Sequence, residues 1–336
     1  MAIKLKKRSD KVPTSKDFSL TGLIYHANTL KQKLRLEDPE EQKYRKEGFH
    51  LSQGIASAED DSRYCSREIE ITRRFPKEVK PWIPSKELQI TFDVGNELHR
   101  MIQSYVRDMG ALYNKSKGFY GRWVCRRCEH IWMTFAPIKC PKCKSKLHSI
   151  KYLEFRFSGG KYDVATTTDG LLWIYDDVNE VWDEWVVEIK TIKQSGNYYG
   201  DIGFNELVEP LPKHYMQAQG YANLRRLQHK AGMITAKGKP RKLPYGFTEW
   251  PKLKGVIFLY IDKNSGRFKE YQLPVKIRPW KVLASRITVI QEREKEKTFS
   301  PRIKLCTDLK SAKKICGVAD LCFDKKKTGS AGVRSN

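Results

Sequence analysis

Four cysteines with metal-ligand spacing stand out in the middle of the chain. They are Cys125, Cys128, Cys140 and Cys143. They form two Cys-x2-Cys pairs separated by eleven residues, and two such pairs complete a closed tetrahedral Zn²⁺ site with no open position for a substrate. The spacing therefore predicts a structural zinc ribbon inserted over 122–148. Free core cysteines are the structural alternative, and replacement of one cysteine ligand by His130 or His148 is a variant of the metal site.

Seven basic residues surround these cysteines. They are Arg122, Arg126, Arg127, Lys139, Lys142, Lys144 and Lys146. Lysine and arginine side chains bind the phosphate backbone of nucleic acids, so a contact between the ribbon and DNA is one interpretation. A solvated shell around a small metal-binding module is the other.

A second set of residues suits divalent-metal chemistry. In the segment WVVEIKT, Glu188 and Lys190 are two residues apart and project from the same face of a predicted strand. Asp163, after a glycine pair, is expected to converge with Glu188 and is preferred to Asp169, whose Thr-Asp-Gly context is typical of a turn. Two carboxylates and a carbonyl such as that of Ile189 supply the hard oxygen ligands that Mg²⁺ or Mn²⁺ prefers. An exposed Glu and Lys on an edge strand is the structural alternative.

Four short motifs follow one another in a characteristic order. They are Gly95-x3-His99, Gly160-x2-Asp163, Glu188-x-Lys190 and Gln217-x3-Tyr221. This series resembles the PD-(D/E)XK nuclease superfamily, and more narrowly its RecB and AddB branch, which includes CRISPR-associated adaptation nucleases and phage-encoded relatives. The resemblance spans roughly residues 60 to 323. It implies an α/β restriction-endonuclease-like core with a central mixed sheet flanked by helices.

The resemblance also implies roles for individual residues. One or two Mg²⁺ or Mn²⁺ ions would be held by His99, Asp163, Glu188 and the main-chain oxygen of Ile189. Lys190 would orient or help to deprotonate the attacking water and stabilise charge on the phosphate. Gln217 and Tyr221, four residues apart on one helical face, would line the active site and contact DNA. Glu154 would support the metal ligands.

The remaining cysteines are dispersed. Cys65 lies early in the chain, whereas Cys306, Cys316 and Cys322 lie near its end. Their distribution resembles the iron-sulfur staple of the RecB-like branch, in which four thiolates hold a 4Fe-4S cluster. The nine residues between Cys306 and Cys316 exceed the usual gap, and Zn²⁺ at the same thiolates is the alternative.

Hydrophobic periodicity predicts the elements that position these groups. Apolar residues recur at helical spacing from Phe92 to Asp108, which predicts an amphipathic helix carrying His99. Segments rich in aromatic and β-branched residues between 152 and 191 predict an antiparallel meander. Further helices are predicted over 214–228 and 278–297, and strands over 255–262 and 267–273. The predicted organisation is a polar lead-in over 1–60, a nuclease core over 61–323 and a disordered basic tail over 324–336, with a short helix near 27–36.

Composition limits the function classes. The chain has 336 residues, 40% of them hydrophobic, and a net charge of +25, which favours a polyanionic partner such as nucleic acid. No apolar run is long enough to cross a bilayer, so no membrane association is expected and the expected location is the cytoplasm of a bacterial or phage-infected cell.

Together these features predict a metal-dependent deoxyribonuclease. Exonuclease action on single-stranded DNA or duplex ends is expected from the branch that the chain resembles, in recombination, repair, replication or spacer acquisition. A helicase, a single-strand-binding protein or a recombination protein is an expected partner. The alternative is a non-catalytic or partner-dependent DNA-binding subunit.

Overall fold

The computed structural model describes residues 48–51, 55–58, 61, 64–79, 84–112, 116–135, 137–146, 149–195, 202–232, 243, 247–314 and 316–328. The helices in this part of the chain are α1 Ser66–Arg74, α2 Lys86–Leu112, α3 Pro212–Lys230, α4 Ile277–Glu296, α5 Leu309–Lys313, α6 Ala319–Phe323 and α7 Lys325–Thr328. The strands are β1 Ser116–Cys125, β2 Ile131–Thr134, β3 Ile150–Tyr152, β4 Phe155–Gly159, β5 Val164–Thr168, β6 Gly170–Asp176, β7 Val181–Ile192, β8 Lys252–Asp262 and β9 Phe268–Pro274.

A mixed sheet forms the centre of the molecule. Its strands run in the order β2-β1-β6-β7-β8-β9, and β3 pairs with β1. Strands β7 and β8 are parallel, whereas the other neighbours in this sheet are antiparallel. Strands β4 and β5 form a separate antiparallel hairpin. The prediction of an α/β architecture with a central mixed sheet is confirmed.

Helices cover both faces of this sheet. Alternate residues of β7 point to opposite sides. Val187 and Ile189 pack in one core with Ile102 of α2, and Val186 packs in the other core with Tyr221 of α3. The helix predicted around His99 is α2, the helix predicted around Gln217 is α3, and the helix predicted over 278–297 is α4. The helix predicted near 27–36 lies outside the described residues.

The core extends beyond the predicted boundaries. Residues 48–58 were assigned to the polar lead-in, yet Phe49, Leu51 and Ile55 are at most 1% exposed, and Phe49 bridges to Val164 at the start of β5. At the other end, residues of the expected disordered tail form α7, where the buried Thr328 accepts a hydrogen bond from Arg67 through its carbonyl oxygen. Residues 1–47 and 329–336 lie outside the described part of the chain.

Candidate metal centre

His99, Glu154, Asp169, Glu188 and Lys190 form what we term the carboxylate cluster. His99 Nδ1, on α2, lies 3.6 Å from Asp169 Oδ1. The main-chain N–H of Ile189 in β7 donates to Asp169 Oδ2 at 2.6 Å. This bond fixes Asp169 beside Glu188 and Lys190, which flank Ile189 in the strand. Three distant parts of the chain therefore meet at one place.

Close packing of α2 on β7 brings His99 into this cluster. Gly95 lies one helical turn before His99, and a Cβ atom built on it would be 3.1 Å from Thr191 Oγ1. A side chain at position 95 would therefore require the Thr191 hydroxyl to shift by a few tenths of an ångström. The Gly95-x3-His99 spacing in the sequence thus has a steric basis in the structure.

Glu154 joins the cluster through the β4–β5 hairpin. Phe155 pairs with Thr168, so Glu154, just before β4, and Asp169, just after β5, leave the hairpin at the same end. Burial and the nearby charge of Asp169 together raise the pKa of Glu154 to about 7, although the charge of His99 opposes this shift. Glu154 is thus an integral member of the cluster.

The structure does not bring Asp163 to the cluster. Asp163 lies in the turn before β5, at the opposite end of this strand from Asp169. Six residue steps of extended chain place the two aspartates about 20 Å apart. The side chain of Asp163 is 57% exposed and pairs with Arg73 at 3.6 Å. Asp169 occupies the position that the sequence analysis gave to Asp163.

Asp169 does lie in a turn, as its Thr-Asp-Gly context indicates, but this turn directs its carboxylate into the cluster. Asp169 links β5 to β6, and the following Gly170 packs so tightly that a Cβ there would lie 2.5 Å from the Phe119 ring. The sharp connection from the hairpin into the main sheet turns the Asp169 carboxylate inward, where its side chain is 15% exposed.

Glu188 is a buried carboxylate paired with Lys190. Lys190 Nζ lies 2.5 Å from Glu188 Oε1, and among the described residues this oxygen has no further hydrogen-bond partner. Burial raises the pKa of Glu188 to about 7; Lys190 lowers it and the charge of Asp169 raises it. A buried carboxylate with a raised pKa, beside two further carboxylates, fits a divalent cation. The cation would offset both the burial of the charge and the repulsion between the carboxylates.

Asp169, Lys190 and His99 shift one another's pKa values. Burial alone would raise the pKa of Asp169, but the hydrogen bond and charge of His99 and the charge of Lys190 hold it below its usual value. Burial opposes the charged form of Lys190, yet Glu188 and Asp169 raise its pKa above the usual range. Likewise burial lowers and Asp169 raises the pKa of His99, with a net increase. Lys190 therefore remains cationic beside the carboxylates.

Helix α3 covers the cluster with Gln217 and Tyr221. Gln217 Nε2 donates to Tyr221 Oη at 2.6 Å, as their four-residue spacing permits. Burial, reinforced by the charge of Glu188, raises the pKa of Tyr221 well above its usual value. Tyr221 is 2% exposed and Gln217 is 7% exposed, so both lie within the core beside Glu188, whereas the resemblance implied a contact with DNA.

Two further residues at this site were not predicted from the sequence. His214 Nδ1 lies 3.0 Å from Tyr260 Oη, and Tyr260 pairs with Lys190 across the parallel β7–β8 ladder. Burial, together with the charges of Lys190 and Lys213, lowers the pKa of His214 to about 3. One signal was available: His214 precedes Gln217 by three residues, which places both on one face of α3.

The four clustered cysteines form a compact metal-binding group. Their sulfur atoms all lie within 4.8 Å of one another. Both knuckles close in the same way: the N–H of Glu129 donates to the Cys125 carbonyl at 2.8 Å, and the N–H of Lys144 donates to the Cys140 carbonyl at 3.0 Å. Hydrogen bonds from Ser145 lower the pKa of Cys125 and Cys143, which favours the thiolates that a metal needs, whereas burial and the neighbouring thiols raise the pKa of Cys128. The prediction that these cysteines could hold a metal is confirmed.

The four dispersed cysteines are electrostatic neighbours. Burial raises the pKa of Cys65 to about 11, with smaller contributions from Glu68, Cys306 and Cys322. Burial likewise raises the pKa of Cys316, and the charges of Glu68, Cys65 and Cys306 contribute to this increase. The segment around Cys65 thus lies near the segment that carries Cys306, Cys316 and Cys322, and a 4Fe-4S cluster or Zn²⁺ there stays a prediction.

The two candidate metal centres differ in compactness. Among the described residues, the four clustered cysteines are the only group of three or more His, Cys, Asp or Glu side chains whose ligand atoms all lie within 4.8 Å of one another. The carboxylate cluster is more open, so its side chains would have to contract around an ion.

Comparisons with known proteins leave the family open. No family model and no curated protein matches the chain. Among solved structures, the chain is similar to SSO0001, with 14% identity over 91% of this chain and 96% of that chain and a TM-score of 0.36. Similarity at this level supports no conclusion about function. In the described part of the chain, no helix has the length and apolarity required to span a membrane.

Proposed function

We propose that this protein is a Mg²⁺- or Mn²⁺-dependent deoxyribonuclease of the PD-(D/E)XK type that acts as an exonuclease on single-stranded DNA or duplex ends. The observation that carries the proposal is the group formed by the buried Glu188 and the half-buried Asp169, Glu154, Lys190 and His99. A net charge of +25 supports a polyanionic substrate.

Each residue of the cluster has a role in this proposal. His99, Asp169, Glu188 and the main-chain oxygen of Ile189 would hold the cation, and Glu154 would support them. A bound divalent cation lowers the pKa of water and neutralises charge on the reacting phosphate. Lys190, held cationic by Glu188 and Asp169, would stabilise charge that develops on the same phosphate.

The energetic cost of the cluster favours a catalytic role over a binding role. A buried carboxylate whose pKa stays raised although it has a cationic partner destabilises the folded protein in its charged form. Glu188 is in this situation beside Lys190, whereas a DNA-binding subunit could use the exposed basic surface alone. A requirement for a metal ligand at this position explains why the sequence has a charged residue there.

The two cysteine groups would have structural roles. We assign Zn²⁺ to the clustered cysteines because two Cys-x2-Cys knuckles provide a closed tetrahedral set of thiolates. For the dispersed cysteines we favour a 4Fe-4S cluster that ties α1 to the C-terminal helices. Metal analysis and absorption spectroscopy of anaerobically purified protein test both assignments. Iron and sulfide are expected with one Zn²⁺, whereas two Zn²⁺ and no iron would contradict the iron-sulfur assignment.

Digestion of linear and circular single-stranded DNA tests the proposed activity. With Mg²⁺ or Mn²⁺, the protein is expected to degrade end-labelled linear strands and leave sealed circles intact. Asp169→Asn should be inactive, and Asp163→Asn is the matched control that should remain active. Equal cleavage of circles would exclude the exonuclease assignment. The absence of cleavage of both substrates with both ions would contradict the nuclease proposal.

A further inference from the structure

The strands around the zinc ribbon present an outer face that the carboxylate cluster does not use. In antiparallel strands, directly paired residues project to the same side. Val124 pairs with both Ile131 and Lys151, and Arg122 pairs with Met133. We term this side of β2, β1 and β3 the ribbon face. Its members are Arg122, Val124, Arg126, Ile131, Met133 and Lys151.

Arg126 belongs to this face although it lies just beyond β1. Its N–H donates to the Ser149 carbonyl at 2.7 Å, which continues the β1–β3 pairing by one step. Arg126 is two residues from Val124 and therefore shares its side of the sheet. The other side of these strands is core, where Trp123 and Cys125 are at most 1% exposed.

The ribbon face combines apolar and basic side chains. Ile131 is 50% exposed and Met133 is 41% exposed, which is unusual for neighbouring large apolar residues on an edge strand. Arg126 is exposed, and Arg122 and Lys151 are half-buried. Within the described part of the chain, no carboxylate lies within 4 Å of the charged groups of these three residues.

Cations crowd around Lys151 at an electrostatic cost. Partial burial lowers the pKa of Lys151, and Arg100 and Arg126 lower it further although Glu154 and Glu97 oppose them. Like charges held together in this way are stabilised by a polyanion. The arrangement favours phosphate groups as the ligand.

Lys151 also connects the ribbon face to the carboxylate cluster. Lys151 precedes Glu154 by three residues, about 10 Å of extended chain, and the charge of Glu154 acts on Lys151. A strand bound along the ribbon face would therefore lead to the candidate metal centre.

We infer that the ribbon face is the docking surface for single-stranded DNA, with Arg122, Arg126 and Lys151 on the phosphates and Ile131 and Met133 against unstacked bases. A duplex keeps its bases stacked inside and would leave the apolar pair unused, whereas single-strand sites combine a basic track with apolar contacts to bases. This inference rests on the proposed function for the choice of DNA as the polyanion.

Binding measurements on the full chain test this inference. A labelled single-stranded oligonucleotide is titrated in the Asp169→Asn background, which prevents degradation, and its anisotropy is followed at several salt concentrations. The basic variant is Arg126→Ala with Lys151→Ala, and the charge-matched control is Lys281→Ala with Lys310→Ala, two exposed lysines on other elements. Zinc content and circular dichroism verify that each variant is folded.

The expected results separate phosphate contacts from base contacts. Loss of two phosphate contacts should reduce the slope of log affinity against log salt by about 1.4 and weaken binding about 25-fold at 0.1 M salt. The control should bind like the parent protein. Ile131→Ser with Met133→Ser should weaken single-strand binding without changing this slope and should leave duplex binding unchanged.

Three outcomes would overturn the inference. They are equal binding by the basic variant and its control, equal losses for single-stranded and duplex DNA in the apolar variant, and a change of oligomeric state in the apolar variant without a change in DNA binding. Failure of the proposed function would look different, because the wild-type chain would then bind single strands through the ribbon face but would not cleave them.

Discussion

Neutralising one of two glutamates in β7 should stabilise the folded protein, whereas neutralising the other should destabilise it. Glu184 and Glu188 are four residues apart in β7 on the same face, and both are at most 1% exposed. Glu184 is fully paired: Arg225 donates to both of its oxygens at 2.6 Å, and Trp173 donates at 2.9 Å. Among the described residues, Glu188 Oε1 makes an ion pair with Lys190 at 2.5 Å and has no further hydrogen-bond partner.

The magnitude follows from the pKa of each carboxyl group. Burial raises the pKa of Glu188 from 4.5 to about 7, so its charged form destabilises the folded protein by about 3 kcal/mol above pH 7. This value already includes the attraction of Lys190. For Glu184, burial is outweighed by Arg225 and His229, and the pKa falls to about 2. Its charged form therefore stabilises the fold by a similar amount, about 3 kcal/mol.

Glu188→Gln should therefore stabilise the metal-free protein, whereas Glu184→Gln should destabilise it. Both effects, about 3 kcal/mol in size, are measured by urea denaturation at pH 8. The stability advantage of Glu188→Gln over the wild-type protein should shrink as the pH falls from about 7 towards 4.5. Wild-type Glu188 takes up a proton in the folded state over this range and loses the destabilising charge. The contribution of Glu184 should persist until the pH falls below 4.5 towards 2.

Divalent metal provides a second comparison for the same variants. Mg²⁺ should stabilise the wild-type protein because a bound cation relieves the charge of Glu188, and this effect should disappear in Glu188→Gln. A destabilised Glu188→Gln at pH 8, or equal stabilisation of both proteins by Mg²⁺, would refute the view that Glu188 is a strained ligand.

Three further predictions concern other parts of the molecule. Lys190→Met should reduce DNA cleavage by a factor of about 10² to 10⁴ with Mn²⁺ binding retained; an unchanged rate in a nuclease assay would contradict its role. Cys140→Ser should lose one Zn²⁺ by metal analysis and expose the ribbon to trypsin, and an unchanged zinc content would disprove the ligand assignment. His214, whose pKa is lowered to about 3 by burial and by Lys190, should stay neutral from about pH 5 to 8 with Nδ1 accepting from Tyr260, and an imidazolium signal by ¹⁵N NMR at pH 6 would contradict this.

Local sequence patterns were sufficient for much of the candidate site. Alternation in the WVVEIKT segment placed Glu188 and Lys190 on one face of β7, and helical spacing placed His99 on α2. The convergence of the four clustered cysteines followed from their two knuckles. In each case the information lies within a few residues, because strand and helix periodicity are local properties.

The residues that sequence reasoning misplaced depend on long-range geometry. Asp163 and Asp169 lie at opposite ends of β5, and the sequence does not state which end of the hairpin faces α2. Tyr260 reaches the site because β8 pairs in parallel with β7, a contact between segments about 70 residues apart along the chain, and His214 of α3 contacts Tyr260 there. Phe49 likewise enters the core through a bridge to Val164.

Calorimetric titration with Mn²⁺ tests the central claim most directly, because it asks whether the carboxylate cluster holds a divalent cation. The wild-type protein and Asp163→Asn should bind Mn²⁺ with the same stoichiometry, and Asp169→Asn should lose this binding while keeping its folded circular dichroism spectrum. Unchanged Mn²⁺ binding in Asp169→Asn, or its loss in Asp163→Asn alone, would contradict the account.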